Sequence, residues 1–580
     1  MSSQFDVVIR GGTIVDGTGA QPYVADVGVK DGVIAEIGRI EASAPEEIDA
    51  RGLTVTPGFV DVHTHYDGQI TWENRMAPSS NHGVTTVVMG NCGVGFAPVR
   101  DGDHQLMIKL MEGVEDIPEV VMAEGVPFNW NSFPDYLDAL DQRVSDVDFA
   151  AQIPHSPLRV FVMGERGANL EPPTLEDLVE MRRCVSEAVK AGALGVASSR
   201  NLFHRFRSGE LAPSVTTELD EVLALAEGLK DAGAGTFQCN PNLDNDAEVE
   251  LKIFRTIAQQ AGVPVTFSLI AMPTRPDNWG RYVEGVRQAA ADGLTIRCQF
   301  MPRPMGVMYG LELSYHPFSL NPSFRPLAQL PLEEKVAQMR DPELRARLIA
   351  EEPDDPNPAF VGLIKSIKAL FRISDPADYN FAAEDSIQAE AARRGVDPRE
   401  MIYDALLEDD GRAILCSYSS DVPEYLAQSR DLIGQDNMIV ALGDGGAHYG
   451  MICDAAYTTY LLTGRLGRDG LDLPTAIKAL TSQPANSVGL CDRGVLGVGY
   501  KADINVLDIP NMILHRPQVI ADLPAGGKRL SQKSKGYVAT LVSGAVTYRN
   551  GEATDALPGR LVRGVRGAPA AAQVRQHEVA

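Results

Sequence analysis

The stretch GFVDVHTHYD, residues 58–67, decides how the chain reads. A short apolar run ends in two histidines, His63 and His65, spaced i and i+2. On a strand, side chains at that spacing project to the same side, so both imidazoles face one region of space. Two bare imidazoles gain little by packing there. A shared metal ion accounts for them, because neutral imidazole is the commonest metal-binding side chain. The alternative is a pair of buried, hydrogen-bonded histidines. The two readings separate on whether further ligands converge on the pair.

Seven more apolar segments follow that first one, at 83–93, 147–155, 192–200, 235–241, 264–270, 294–302 and 438–446. Helical patterns lie between most of them. TLEDLVEMRRCVSEAVKAG (174–192) and TTELDEVLALAEGLKDAG (216–233) are the clearest. Strand-like and helix-like segments in alternation predict an α/β fold with a parallel sheet, and eight of them predict a (β/α)8 barrel. Barrels of this kind carry their active sites at the C-terminal ends of the strands. His63 and His65 end the first segment, Cys92 ends the second and Asp444 ends the eighth.

The barrel is expected over 58–486. About 130 residues separate its last two strands, so an insertion, helical by pattern, is expected over about 303–436. Within it, RPMGVMYGLELSYHPFSLNPSFRP is either a cover over the site or an ordinary part of the insertion. The segments 1–57 and 487–555 alternate apolar and polar residues between glycines, which predicts two halves of one small β-sandwich domain. The Ala/Pro/Arg-rich end, 556–580, is expected to be a loose tail or an interaction arm.

The chain has 580 residues and a formal net charge of −26, a balance that excludes nucleic acid and anionic membrane surfaces as partners. It contains no run of about 20 apolar residues, so no membrane span is expected. The first residues carry no basic segment followed by an apolar one, so no secretory signal is expected. Seven cysteines without a CxxC pair fit reduced thiols, and a cytoplasmic location is expected. A homo-oligomer is compatible with this composition.

GFVDVHTHYD, GVTTVVMGNCGVGFAPV, MEGVEDIP, GALGVASS and GYKADINVLD together resemble the metal-dependent amidohydrolase superfamily, and within it the N-acyl-D-amino-acid deacylases. The likeness covers most of residues 5–550 and is weak between about 200 and 380. It implies a metal-dependent hydrolase of a carbon–nitrogen bond other than an ordinary peptide bond, acting on a small amide that carries a carboxylate. It also implies metal ligands at His63, His65, Cys92 and Asp444. Members of the family add two histidines, after strands five and six, to a second, tighter zinc site. Here those places hold Asn240 and Leu269. An amide oxygen is a weak ligand and leucine has no donor. One zinc per chain is therefore expected, with Asp444 both binding it and acting as acid and base on an activated water.

His155, Arg200, Asn240, Arg303 and His448 follow strand ends and are candidates to contact substrate. For Arg200 and Arg303 the reason is bidentate recognition of a carboxylate. A lactam or cyclic-amide hydrolase and a deaminase use the same metal chemistry. A scaffold that has lost catalysis along with its second site is the reading from another class.

Overall fold

A computed structural model of the protein describes residues 4–468 and 470–570, with only the backbone of Ala359. Residues 571–580 of the expected tail lie outside the described residues.

Each of the eight strand segments contains a strand. These are β1 (Phe59–Asp61), β2 (Val84–Met89), β3 (Asp148–Ala151), β4 (Gly195–Ser199), β5 (Thr236–Asn240), β6 (Val265–Ser268), β7 (Ile296–Phe300) and β8 (Met438–Val440). They pair in parallel and in chain order. β1, β2 and β3 form one arc. Past a break at Gln152 the chain resumes as Ile153–Pro154, which pairs with β4, and the second arc runs from there to β8. Just beyond the strand ends, His65 N donates to Gly445 O at 2.8 Å and Asp444 N donates to His63 O at 3.1 Å. The extension of β8 therefore lies beside the extension of β1. Most of these strands are apolar and covered on both faces, as parallel strands flanked by helices are; all six residues of β2 are buried.

Local chemistry sets the connecting helices. Leu175–Ala191 opens on a capping box between Thr174 and Asp177 and stops at Gly192. Leu219–Ala232 stops at Gly233, which takes the left-handed conformation at φ 74°. One glycine matters directly for the site. Gly90, at φ +84°, follows β2, and a Cβ there would lie 2.1 Å from Gln152 O. Only glycine lets this turn press against the break after β3 and carry Cys92 inward.

Strands of the N- and C-terminal segments join in a single nine-stranded hydrogen-bonded sheet, where two sheets of a sandwich were expected. Thr54–Pro57 pairs antiparallel with Ile504–Leu507 and sews the two halves together. Val7, Ile9, Val27 and Val55 from one half and Ile504, Val506 and Leu541 from the other share its core. The insertion is not purely helical. Gly306–Tyr309, Phe371–Arg372 and Leu415–Tyr418 make a small antiparallel sheet beside its helices, and it has a core of its own around Tyr309, Phe318, Leu348 and Tyr403.

The segment 556–570, expected to be a loose tail or an interaction arm, is tied down along part of its length. Gly559 N donates to Ser145 O at 2.8 Å, Val562 N to Phe149 O at 2.8 Å and Arg566 N to Gly489 O at 2.8 Å. Leu561 and Val562 are buried. Composition alone hides such a segment, because backbone pairing needs no apolar periodicity. No helix among the described residues is long and apolar enough to cross a membrane.

Candidate metal centre

The centre is built at the end of β1. Asp61 Oδ1 accepts from His63 N at 3.1 Å and fixes the turn in which the two histidines project. His63 Nδ1 lies 2.6 Å from Gln299 Oε1 on β7. An amide oxygen only accepts, so Nδ1 carries the proton and Nε2 is left with its lone pair. That Nε2 lies 3.3 Å from Cys92 Sγ and 3.4 Å from Asp444 Oδ1. His65 Nε2 lies 3.6 Å from the same Asp444 oxygen. Ligand atoms of His63, His65 and Cys92 all fall within 4.8 Å of one another.

Asp444 sits at the tip of β8 with φ +47°. It caps no helix: Ala447 N closes a turn onto its carbonyl and the next helix begins only at Tyr457. Burial raises its carboxyl, but the close approach of His65 and the nearby His63 and His448 outweigh this and hold it below the usual carboxylate range. Burial lowers His63. For His65 burial is outweighed by Glu115, Cys92 and Asp444, and the ring is raised well above its ordinary value. Burial pushes the Cys92 thiol up to about 12.

This donor set suits a divalent cation. Two imidazole nitrogens, a thiol sulfur and a carboxylate oxygen converge, and Nε2 of the buried His65 has no hydrogen-bond partner among the described residues. That is an atom a cation would satisfy.

The places implied for a second site look different. Asn240 Oδ1 accepts from Ser268 Oγ at 2.6 Å and from Gln238 Nε2 at 3.1 Å. Its Nδ2 points at Cys92 Sγ, 3.0 Å away. Leu269 is buried among apolar residues. Asn240 thus touches the centre through its donor rather than offering an acceptor to an ion.

Three other candidates are engaged elsewhere. His155 Nδ1 lies 2.8 Å from Ser198 Oγ and its Nε2 lies 2.9 Å from Glu221, which also binds Arg159 at 2.8 Å. Arg200 pairs with the buried Glu250 at 3.1 Å and donates to Thr217 O. Arg303 is 1% exposed, pairs with Asp454 at 2.6 Å and stacks on Tyr379 with 4.4 Å to the ring centroid. Both arginines, expected as candidates to contact a substrate carboxylate, thus already pair with a carboxylate of the protein. A guanidinium buried this deeply needs an anion inside the protein. His448, in contrast, reaches the centre. Its Nε2 lies 3.4 Å from Glu115 Oε2 and its side chain keeps 20% exposure.

Glu115 has no role in the sequence reading above. It is the last residue of the helix His104–Glu115, buried, with Oε1 3.5 Å from His65 Nδ1. Burial raises its carboxyl to about 7. One signal was available in MEGVEDIP: a carboxylate ending a helix faces the negative end of the helix dipole, so Glu115 is poorly placed for helix stability alone. His204 is partly buried, and desolvation together with His448, His65 and His63 lowers it to about 3.

A parallel β/α fold with this His-X-His, Cys and Asp cluster at its strand ends defines a metal-dependent hydrolase. The chain belongs to the amidohydrolase family, whose model matches residues 46–548. It is a hydrolase of carbon–nitrogen bonds other than ordinary peptide bonds. It is 26% identical to the D-aminoacylase of Alcaligenes xylosoxydans xylosoxydans, across 97% of this chain and 98% of that protein. It is 27% identical to the N-acyl-D-aspartate deacylase of the same organism, across 88% of this chain and 87% of that protein. A crystal structure of a D-aminoacylase superposes with TM-score 0.62 at 22% identity, covering 97% of this chain and 100% of that one. The N-acyl-D-glutamate deacylase of Bordetella bronchiseptica, solved with zinc and a phosphonate inhibitor, superposes with TM-score 0.61 at 22% identity, over 97% and 100%.

Proposed function

We propose that the two arcs of strands close into a (β/α)8 barrel over 58–486, and that one zinc ion held by His63, His65 and Asp444 at its mouth serves the hydrolysis of an N-acylated small molecule. Cys92 is the fourth ligand in reach. The carrying observation is the single oxygen Asp444 Oδ1, 3.4 Å from His63 Nε2 and 3.6 Å from His65 Nε2. The likeness to D-aminoacylase and the acyl-amino-acid deacylases supports an amide as substrate.

When bound, zinc supplies Lewis acidity, which acidifies water and polarises an amide carbonyl. The remaining work falls to side chains. Asp444, ionised at neutral pH, accepts the proton of the attacking water and returns it to the leaving nitrogen. Gln299 holds His63 in the tautomer that leaves Nε2 free. His448, partly exposed beside the centre, is placed to hydrogen-bond a bound amide.

Lining residues after β6, β7 and β8 shape the substrate end. Leu269, Ile270, Ala271, Met301, Met305 and Leu442, together with Ser419 and Tyr425, line a small recess there. Arg200 and Arg303 are both engaged in ion pairs, so a substrate carboxylate would have to compete with Glu250 or Asp454 for them.

The test is a panel of N-acyl amino acids and neutral N-acyl amides assayed with zinc-loaded enzyme. Hydrolysis that disappears on chelation and in His63→Ala supports the reading. A zinc-loaded protein that releases no amine from any member of the panel would leave a non-catalytic scaffold.

A further inference from the structure

We propose that Glu115 is a positioning residue for the metal centre, holding the Nδ1–H of His65 so that Nε2 faces Asp444 and the ion, and joining His448 to the same carboxylate. The inference rests on the single-zinc reading above and assigns a residue to which that reading gives no task.

The geometry divides between the two carboxylate oxygens. Oε1 lies 3.5 Å from His65 Nδ1 and Oε2 lies 3.4 Å from His448 Nε2. The side chain is 1% exposed, and neither oxygen has a hydrogen-bond partner among the described residues. A buried carboxylate left this way is costly, so its persistence calls for partners that it meets when the site is in use. Both candidates are ring nitrogens capable of donating. Catalytic hydrogen bonds often stand long without ligand and tighten in the loaded state.

The backbone fixes Glu115 in this place. His448 N donates to Glu115 O, which ties the loop after β8 to the helix end. The next residue, Asp116, adopts φ +51° and turns the chain outward. Its carboxylate accepts from Ser314 Oγ at 2.7 Å and from Gly450 N at 3.1 Å. One dipeptide therefore faces the centre with its first side chain and clamps the insertion and the β8 loop with its second.

His63 offers an internal comparison. Gln299 Oε1 stands 2.6 Å from its Nδ1 and leaves Nε2 toward Asp444. Glu115 occupies the equivalent place behind His65. Partners behind metal-binding histidines fix tautomer and ring orientation, and losing one typically lowers metal affinity by about 10–100-fold.

The experiment compares parent, Glu115→Gln and Glu115→Ala in two measurements. Proton–nitrogen NMR of the zinc-free proteins follows the ring N–H of His65, assigned through His65→Gln. Competition with a chromogenic chelator gives the zinc dissociation constant. A slowly exchanging, downfield Nδ1–H in the parent, kept in Glu115→Gln and lost in Glu115→Ala, is the expected result. Zinc affinity is expected to fall by about 10–100-fold in Glu115→Ala and to recover largely in Glu115→Gln. A His65 Nδ1–H signal that is the same in parent and Glu115→Ala overturns the proposal, whatever the affinities. Because this signal is read without zinc, it decides the role of Glu115 even if the parent binds no zinc and the single-zinc reading falls.

Discussion

Asn240 Nδ2 stands 3.0 Å from Cys92 Sγ, so an amide donor rather than an imidazole lone pair meets the thiol at the heart of the centre. A donor there repels a cation from that side of the sulfur, whereas the other side faces His63 Nε2 at 3.3 Å. This contact underlies the expectation of one ion. It predicts that Asn240→His combined with Leu269→His raises bound zinc from about one to about two per chain by elemental analysis. The double variant staying at one ion, with its fold intact, would mean that more than these two ligands separates this centre from a binuclear one.

Asp444→Asn keeps shape and removes both charge and proton acceptor. We expect the variant to fold, to hold zinc more weakly and, at saturating zinc, to turn over about 10²–10⁴-fold more slowly. Turnover within threefold of the parent would move the acid–base role to another group.

Arg303 and Asp454 are expected to act on stability alone. Removing one member of a buried pair strands the other, at a cost of about 3–5 kcal/mol. Arg303→Met should therefore lower the urea midpoint sharply, and Arg303→Met with Asp454→Leu should recover much of it. KM of the folded fraction should stay put in both. A selective rise in KM for carboxylate-bearing substrates would return Arg303 to the substrate site.

A pH dependence of stability follows from His82. Its ring lies 2.8 Å from Thr459 Oγ1 and 3.0 Å from Gln532 O, neither of them a carboxylate, and burial lowers it to about 4 from 6.5. Between those values the unfolded chain binds a proton that the native ring refuses. Stability therefore falls as pH drops from 6.5 toward 4, by up to roughly 3 kcal/mol from this residue. Urea unfolding of parent and His82→Gln across that window should show the shallower decline in the variant. Parallel slopes would contradict it.

Much of the scaffold was legible because its signals are local. Eight apolar segments, most of them separated by helical patterns, mark the strands, and His63, Cys92 and Asp444 are read from their places at strand ends. Whatever depended on distant pairing was not legible. The partners of Arg200 and Arg303 are Glu250 and Asp454, 50 and 151 residues away. Nothing in the local pattern says that these guanidinium groups are already engaged. The anchoring of 556–570 rests on backbone pairing, which leaves no side-chain signature. Glu115 was hidden for a third reason: its task depends on His65, and a helix end gives no hint of which residue will face it.

The most direct test is a titration of zinc-free protein with zinc, following hydrolysis of a neutral N-acyl amide and bound zinc together. Activity is predicted to rise linearly and to break at one equivalent per chain, with no further gain at two. Activity that needs a second equivalent, or that is independent of zinc, would contradict a single catalytic ion on His63, His65 and Asp444.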